Sequence, residues 1–168
     1  MREGTGEVTV AVAADTAFAY LADPRHAPEW FAGVQFAEEP EGEPHTGMTW
    51  RFVQVRSGNR VVPVRMVVYE SPSHFAWQTT LRWPRTNLRW EMRCEPEEKR
   101  AGTTRLRMTI RIEPGPLGWL ALWLSPRAYR PNPATQAQHA AERARDALLE
   151  RTGRPLVRRP PAKRGRRR

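Results

Sequence analysis

The chain has 168 residues, of which 39% are hydrophobic and 27% are charged, and its formal net charge is +10 at pH 7. Its longest apolar run, at positions 117–124, is much shorter than the ~20 residues that a membrane-spanning helix needs. Its first residues also lack the apolar segment of a secretory signal. The composition therefore argues against a membrane-spanning protein and predicts one soluble, cytoplasmic domain.

The positive charge is concentrated at the C-terminal end. Residues 1–150 hold 19 Lys and Arg against 18 Asp and Glu, whereas residues 151–168 hold 9 Lys and Arg and no acidic residue. The second stretch contains three prolines and few apolar side chains, so it cannot bury enough surface to offset the entropy of ordering. We therefore expect a folded domain at 1–150 and a disordered, arginine-rich tail at 151–168.

Two roles are open for this tail. The segment from Arg151 to Arg168 is dense in cations, which would suit an anionic surface, either a membrane or a nucleic acid. The segment has no aromatic residues on which bases could stack, so any binding of nucleic acid would be tolerant of sequence. Alternatively, the tail only keeps the protein in solution.

The N-terminal part predicts a strand followed by two helices. Apolar side chains alternate at positions 8–12, as in a strand with one buried face. Asp15 is the predicted N-cap of the first helix. This helix should end at Asp23, because the residue before a proline avoids the helical conformation. A second short helix follows and carries Trp30.

The middle of the chain predicts consecutive antiparallel strands. A period of two in hydrophobicity, broken by turn residues, marks segments at 48–55, 75–81, 87–95 and 103–113. A further strand at 61–69 is apolar on both faces apart from Arg65, so its inner face is ambiguous. The natural arrangement of such segments is a meander.

A long helix should close the domain. Asn132 and Pro133 form a suitable N-cap and first-turn pair, and the helix should continue to Glu150. Small apolar residues recur at helical spacing along one face, at Ala137, Ala141, Ala144 and Leu148. We expect this narrow face to cover the apolar face of the sheet.

Several segments carry a family resemblance. They are 9–34 (TVAVAADTAFAYLADPRHAPEWFAGV), 47–52 (GMTWRF), 69–72 (YESP), 102–106 (GTTRL) and 134–150. Together they resemble the START-like, or helix-grip (SRPBCC), superfamily, which includes polyketide cyclase/dehydrase-like proteins. The resemblance implies an α+β fold in which a curved antiparallel sheet of about six or seven strands wraps around a long C-terminal helix, with two short helices after strand 1. It also implies a ligand pocket between sheet and helix, but no catalytic signature.

The candidate pocket residues are large apolar side chains predicted on or beside the inner face: Trp30, Trp50, Phe52, Phe75, Trp77, Trp90, Met92, Met108, Trp119 and Trp123. Two packings are open for those on the sheet, a close-packed core or the aromatic wall of a pocket. Trp119 and Trp123 lie in the segment that the resemblance places near the pocket mouth. There they would cap the core, form a lid, or touch a membrane surface together with the basic tail.

The sequence offers little conventional catalytic machinery. The four histidines are scattered, with His139 away from the apolar face of its helix, so no metal site is predicted. Cys94 falls among apolar inward positions and is expected to act as a small hydrophobe. No cofactor is predicted. The remaining candidates for polarising a carbonyl group are Tyr20, Gln54 and Thr79.

Three functions follow from these observations. The first is binding of a hydrophobic small molecule or lipid between sheet and closing helix. The second is a polyketide cyclase, aromatase or dehydratase activity in the same pocket, where holding a flexible substrate in a folded shape supplies much of the catalysis. The third is association with RNA or the ribosome through the basic tail. No oligomeric state is predicted.

Overall fold

In the computed structural model, residues 1–54, 59–82, 85–115 and 132–153 are described. The elements in chain order are β1 (Arg2–Val10), α1 (Ala14–Ala22), a 3₁₀ turn (Pro24–His26), α2 (Ala27–Trp30), β2 (Val34–Glu38), β3 (Thr49–Gln54), β4 (Arg60–Glu70), β5 (His74–Arg82), β6 (Arg85–Pro96), β7 (Thr104–Pro114) and α3 (Pro133–Arg151).

The strands form one curved antiparallel sheet with the order β1-β7-β6-β5-β4-β3-β2. β1 and β2 are its edges. Helix α3 lies across the inner face and packs mainly against β1 and β7. The predicted architecture is confirmed: an antiparallel sheet, two short helices after the first strand, and a long helix near the C-terminal end.

The predicted inner faces of the strands are also confirmed. Met92 and Cys94 in β6 are buried, and so are the alternate residues of β7. The ambiguity in β4 is resolved, because Val62 and Val64 face the core whereas Val61 is 54% exposed.

The predicted N-cap of α1 is wrong. Ala13 occupies the N-cap position, and Asp15 lies in the first turn, where its carboxylate accepts a hydrogen bond from the Thr16 amide at 2.7 Å. An acidic side chain is favourable there because the amide groups of the first turn carry partial positive charge. The end of the helix at Asp23 is as predicted.

Strand β1 begins at Arg2, earlier than its apolar pattern indicates, because two inward positions are glycines. A Cβ atom on Gly4 would lie 2.0 Å from the Ala134 amide nitrogen, and one on Gly6 would lie 2.3 Å from the Gln138 amide nitrogen. The backbone of α3 therefore rests directly on the backbone of β1.

Helix α3 is fixed at its start and along the edge of the sheet. The predicted N-cap is confirmed, since the Asn132 side chain accepts a hydrogen bond from the Ala134 amide at 3.1 Å. The side-chain amide of Gln138 accepts a hydrogen bond from the Glu7 amide at 3.1 Å and donates one to the Glu7 carbonyl at 3.4 Å. Gln138 thus pairs with the open edge of β1 as a neighbouring strand would.

The buried face of α3 is the predicted one. Ala137, Ala141, Ala144 and Leu148 are all buried, and the helix ends at Arg151, one residue beyond the predicted end. Among the helices of the described residues, none combines the length and the apolar character that a bilayer crossing requires.

The contact between α3 and β1 is testable by adding one methyl group. Gly6→Ala should lower the free energy of unfolding by about 1–3 kcal/mol, because the helix backbone must move to admit the Cβ atom. The measurement is denaturation by guanidinium chloride followed by circular dichroism. Thr9→Ala, on the exposed face of the same strand, is the control. Equal destabilisation by both variants would contradict the direct contact.

Candidate ligand-binding cavity

A cavity of about 560 Å³ lies between the first turns of α3 and the inner face of the sheet. This volume falls within the range of roughly 300–1,000 Å³ that is usual for small-molecule sites. Its lining consists of Phe31, Ala32, Gly33, Val34, Gln54, Leu81, Leu88, Trp90, Ile110, Gln136, His139, Ala140 and Arg143.

The orientation of α3 determines which of its side chains reach the cavity. Gln138 points to the edge of β1, where its amide bonds to Glu7. Residues spaced by three or four positions share a helix face, so Gln136, His139, Ala140 and Arg143 form a second stripe along the helix. This stripe, which we call the cavity stripe, lines the cavity.

The opposite wall is apolar. Leu81, Leu88, Trp90 and Ile110 come from three adjacent strands, β5, β6 and β7. Trp90 and Ile110 are direct cross-strand partners, and the Trp90 ring meets Phe31 edge to face with the ring centroids 5.3 Å apart. The half-buried Phe31 ring also lies 6.5 Å from Trp77, so it separates the cavity from the aromatic core.

The polar side chains that line the cavity are two amides, an imidazole and a guanidinium. Gln54 faces it from β3, and the cavity stripe contributes Gln136, His139 and Arg143. The His139 Nδ1 atom lies 3.6 Å from a carboxylate oxygen of Glu142. Among the described residues that line the cavity, none is acidic. The arrangement is suited to a molecule with an apolar body and hydrogen-bond acceptors at one side.

Comparison with known proteins agrees with this architecture. A family model described as "Polyketide cyclase / dehydrase and lipid transport" matches residues 1–152. The chain belongs to this family. Its resemblance to the START-like, helix-grip superfamily is thereby confirmed, and with it a ligand-binding type of fold. Comparison with curated protein sequences finds no significant match.

Solved structures similar to this polyketide cyclase/dehydrase family member share its fold at low sequence identity. A norcoclaurine synthase from Thalictrum flavum is 14% identical, with 90% of this chain and 96% of that chain covered and a TM-score of 0.64. Protein CV1439 from Chromobacterium violaceum is 10% identical, with 88% and 96% covered and a TM-score of 0.59. Ara h 8.0201 is 11% identical, with 89% and 98% covered and a TM-score of 0.59.

Of the predicted pocket residues that this family member's structure describes, Trp90 lines the cavity. The others are in the core with 3% exposure or less: Trp30, Trp50, Phe52, Phe75, Trp77, Met92 and Met108. Trp77 is central among them, with its ring 5.4 Å from those of Trp30 and Trp50. In this structure they are packing residues, and a ligand contact by any of them stays a prediction.

The buried tryptophans are held by packing. The indole nitrogens of Trp30, Trp50 and Trp77 have no hydrogen-bond partner among the described residues. A buried donor without an acceptor costs about 1–3 kcal/mol. Two of these three tryptophans, Trp30 and Trp77, have rings in contact with Phe31.

The three candidates for polarising a carbonyl are not brought together. Gln54 lines the cavity. The Thr79 hydroxyl is buried and donates to the Pro63 carbonyl of the neighbouring strand. The Tyr20 hydroxyl donates to the Glu29 carboxylate at 2.6 Å. Only Gln54 is therefore placed to touch a ligand in this cavity.

Tyr20 belongs to a polar cluster that joins α1, α2 and the end of α3. His26 stacks on its ring at 4.5 Å and lies 2.9 Å from the Glu29 carboxylate, and the Arg151 guanidinium lies over the ring at 5.1 Å. Burial raises the pKa of Tyr20 well above its usual range, and the bond to Glu29 raises it further. The phenol is therefore neutral, and its role in this geometry is to hold the helices together.

Sequence reasoning missed the cavity stripe. Gln136, His139, Ala140 and Arg143 follow the same three- and four-residue spacing as the alanine face and lie beside it, so this spacing was the available signal. The predicted pocket residues were large and apolar. The stripe is mostly polar, so it was not among them.

Other predicted features stay outside the site or outside the described residues. Cys94 is buried, and burial raises the pKa of its thiol to about 12, which opposes a nucleophilic role. Trp119, Trp123 and the tail from residue 154 onwards lie outside the described residues. The possible lid and the association of the tail with RNA or membranes remain predictions.

The position of Tyr20 predicts a structural effect of its hydroxyl. Tyr20→Phe should lower the free energy of unfolding by about 1.5–3 kcal/mol at pH 7, because it removes a hydrogen bond to a charged group. Binding of a ligand in the cavity should be unchanged. The control is Tyr69→Phe, since Tyr69 makes ring contact with Phe18 and no hydroxyl bond within the described part of the chain.

This effect should depend on pH. The hydrogen bond from Tyr20 lowers the pKa of Glu29 in the folded state. The stabilisation is therefore complete above the unfolded pKa, roughly 4.3 for Glu, and is lost as the pH falls through the lower, folded value. Urea denaturation at pH 7 and at about pH 3 should show the difference between Tyr20→Phe and wild type shrinking in acid. A difference that is equal at both pH values would contradict this role.

Proposed function

We propose that this family member binds a hydrophobic small molecule or lipid in the cavity between α3 and the sheet. The observation that carries the proposal is a cavity of about 560 Å³ with one apolar wall and one polar stripe. An apolar wall provides affinity, at roughly 25 cal/mol per Å² of buried apolar surface, and a few polar groups fix the orientation of the ligand.

The comparisons support the proposal at the level of the family. The family description includes lipid transport. A structure of the similar norcoclaurine synthase contains dopamine and hydroxybenzaldehyde, which are small aromatic molecules. The aromatic wall formed by Trp90 and Phe31 offers ring contacts to an aromatic ligand.

The proposal can be tested by filling the cavity. Ala140→Phe places a ring where the helix faces Trp90, so it should weaken binding of the apolar fluorescent probe N-phenyl-1-naphthylamine by at least about tenfold. Thr135→Phe adds the same ring at an exposed position of the same helix and should bind as wild type does. Thermal unfolding of both variants checks that they fold. Wild-type affinity in a folded Ala140→Phe protein would show that the probe binds elsewhere.

A second candidate function, cyclisation or dehydration of a poly-ketone, is favoured by His139. Its side chain is on the cavity lining and 70% exposed, and a carboxylate oxygen of Glu142 lies 3.6 Å from the imidazole Nδ1. A histidine exchanges protons near neutral pH, and general acid–base catalysis contributes roughly 10²–10⁴ in rate. The family description includes both cyclase and dehydrase.

Catalysis is distinguished from simple binding by turnover. With a short poly-β-ketone thioester as substrate, His139→Gln should lower the rate by about 10² or more while its binding stays near that of wild type. His45→Gln is the control, because His45 bonds to the Glu43 carbonyl and does not line the cavity. A rate unaffected by His139→Gln would exclude this role for His139.

A further inference from the structure

Arg143 is the cation of the cavity stripe, and within the described ranges it has no acidic partner. Every Asp and Glu of the sequence, 18 in all, lies within the described residues, and none of them forms an ion pair with Arg143 among these residues. Its guanidinium is therefore available to a ligand, and it lies on the lining of the cavity.

The acidic residues nearest to Arg143 along the helix already have other partners. Asp146 lies three residues further on, the usual spacing for a helical ion pair, yet Arg145 binds it at 2.7 Å. Glu142 accepts a hydrogen bond from Gln138 at 3.0 Å and lies 3.6 Å from His139. Arg143 therefore has no ion-pair partner among the residues that the structure describes, although two carboxylates are close to it in sequence.

The rest of the cavity matches the charge of Arg143. Its lining contains no acidic side chain among the described residues, and the Gln136 amide and His139 imidazole lie on the same stripe. Across the cavity, Leu88, Trp90 and Ile110 present an apolar surface. A guanidinium forms charge-assisted, often bidentate, hydrogen bonds with a carboxylate, so one end of the cavity suits an anion and the other a hydrocarbon or ring.

We propose that Arg143 holds the carboxylate of an amphipathic ligand whose apolar body packs on Leu88, Trp90 and Ile110. The inference rests on the proposed binding function, because it names the ligand class of the same cavity. It makes Arg143 a specificity-determining residue. It also accounts for an unpaired cation on a helix whose other arginine near the middle, Arg145, is paired.

The test compares dodecanoate with 1-dodecanol, which differ at the head group. Each displaces N-phenyl-1-naphthylamine from the full-length protein, and the inference expects the carboxylate to bind about five- to tenfold more tightly. That preference should fall as salt is raised, because the head group lies at an exposed position. Arg143→Gln should remove the preference and leave the affinity for dodecanol unchanged, whereas Arg143→Lys should keep part of it.

Arg105→Gln is the control, since it removes the same charge from an exposed position of β7 that does not line the cavity. Arg145 is unsuitable, because its removal would free Asp146 to pair with Arg143. Equal affinity of wild type for dodecanoate and dodecanol overturns the inference while the proposed function stands. A preference that survives Arg143→Gln, or that Arg105→Gln reduces equally, also overturns it. If the naphthylamine probe, dodecanoate and dodecanol all fail to bind, the proposed function is overturned, and the inference with it.

Discussion

The packing of helix α3 against strand β1 is the contact on which the rest of the structure depends. Gly4 and Gly6 let the two backbones approach more closely than any side chain would allow, and the Gln138 amide fastens the helix to the strand edge. A helix held against one edge of a curved sheet cannot also fill the space over the central strands. The cavity is the consequence, since Trp90 and Leu88 face the helix across that space.

Large aromatic residues fill the interior that α3 does not reach. Trp30, Trp50 and Trp77 are nearly completely buried, and at ~25 cal/mol per Å² the burial of about 150–250 Å² by each ring stabilises the fold by roughly 4–6 kcal/mol. That gain exceeds the cost of roughly 1–3 kcal/mol for leaving an indole N–H without an acceptor. Phe31 lies at the edge of this packed region, where its ring contacts Trp77 in the core and Trp90 in the cavity wall.

Hydrophobic periodicity predicts the sheet, the closing helix and the side of each strand that faces inward, because these depend on neighbours in sequence. It does not predict how far an inward residue lies from the helix. Trp77 and Trp90 are direct cross-strand partners on the same face, yet one is in the core and the other lines the cavity. The position of α3 sets this difference, and that position depends on Gly4 and Gly6. Because glycine has no side chain, these two residues add nothing to a hydrophobic pattern.

The charge of the cavity is a local property of α3. Within residues 1–150 the bases and acids nearly balance, and on the outer face of the sheet Arg107 and Arg111 pair with glutamates of β1. Arg143, by contrast, forms no ion pair with any acidic residue in the part of the chain that the structure describes. His139 precedes it by four residues, about 6 Å away on the same helix face. A ligand head group held by Arg143 would place the adjoining atoms of the ligand beside the His139 imidazole. Ligand transport and catalysis would then use the same stripe and would differ only in whether His139 exchanges a proton.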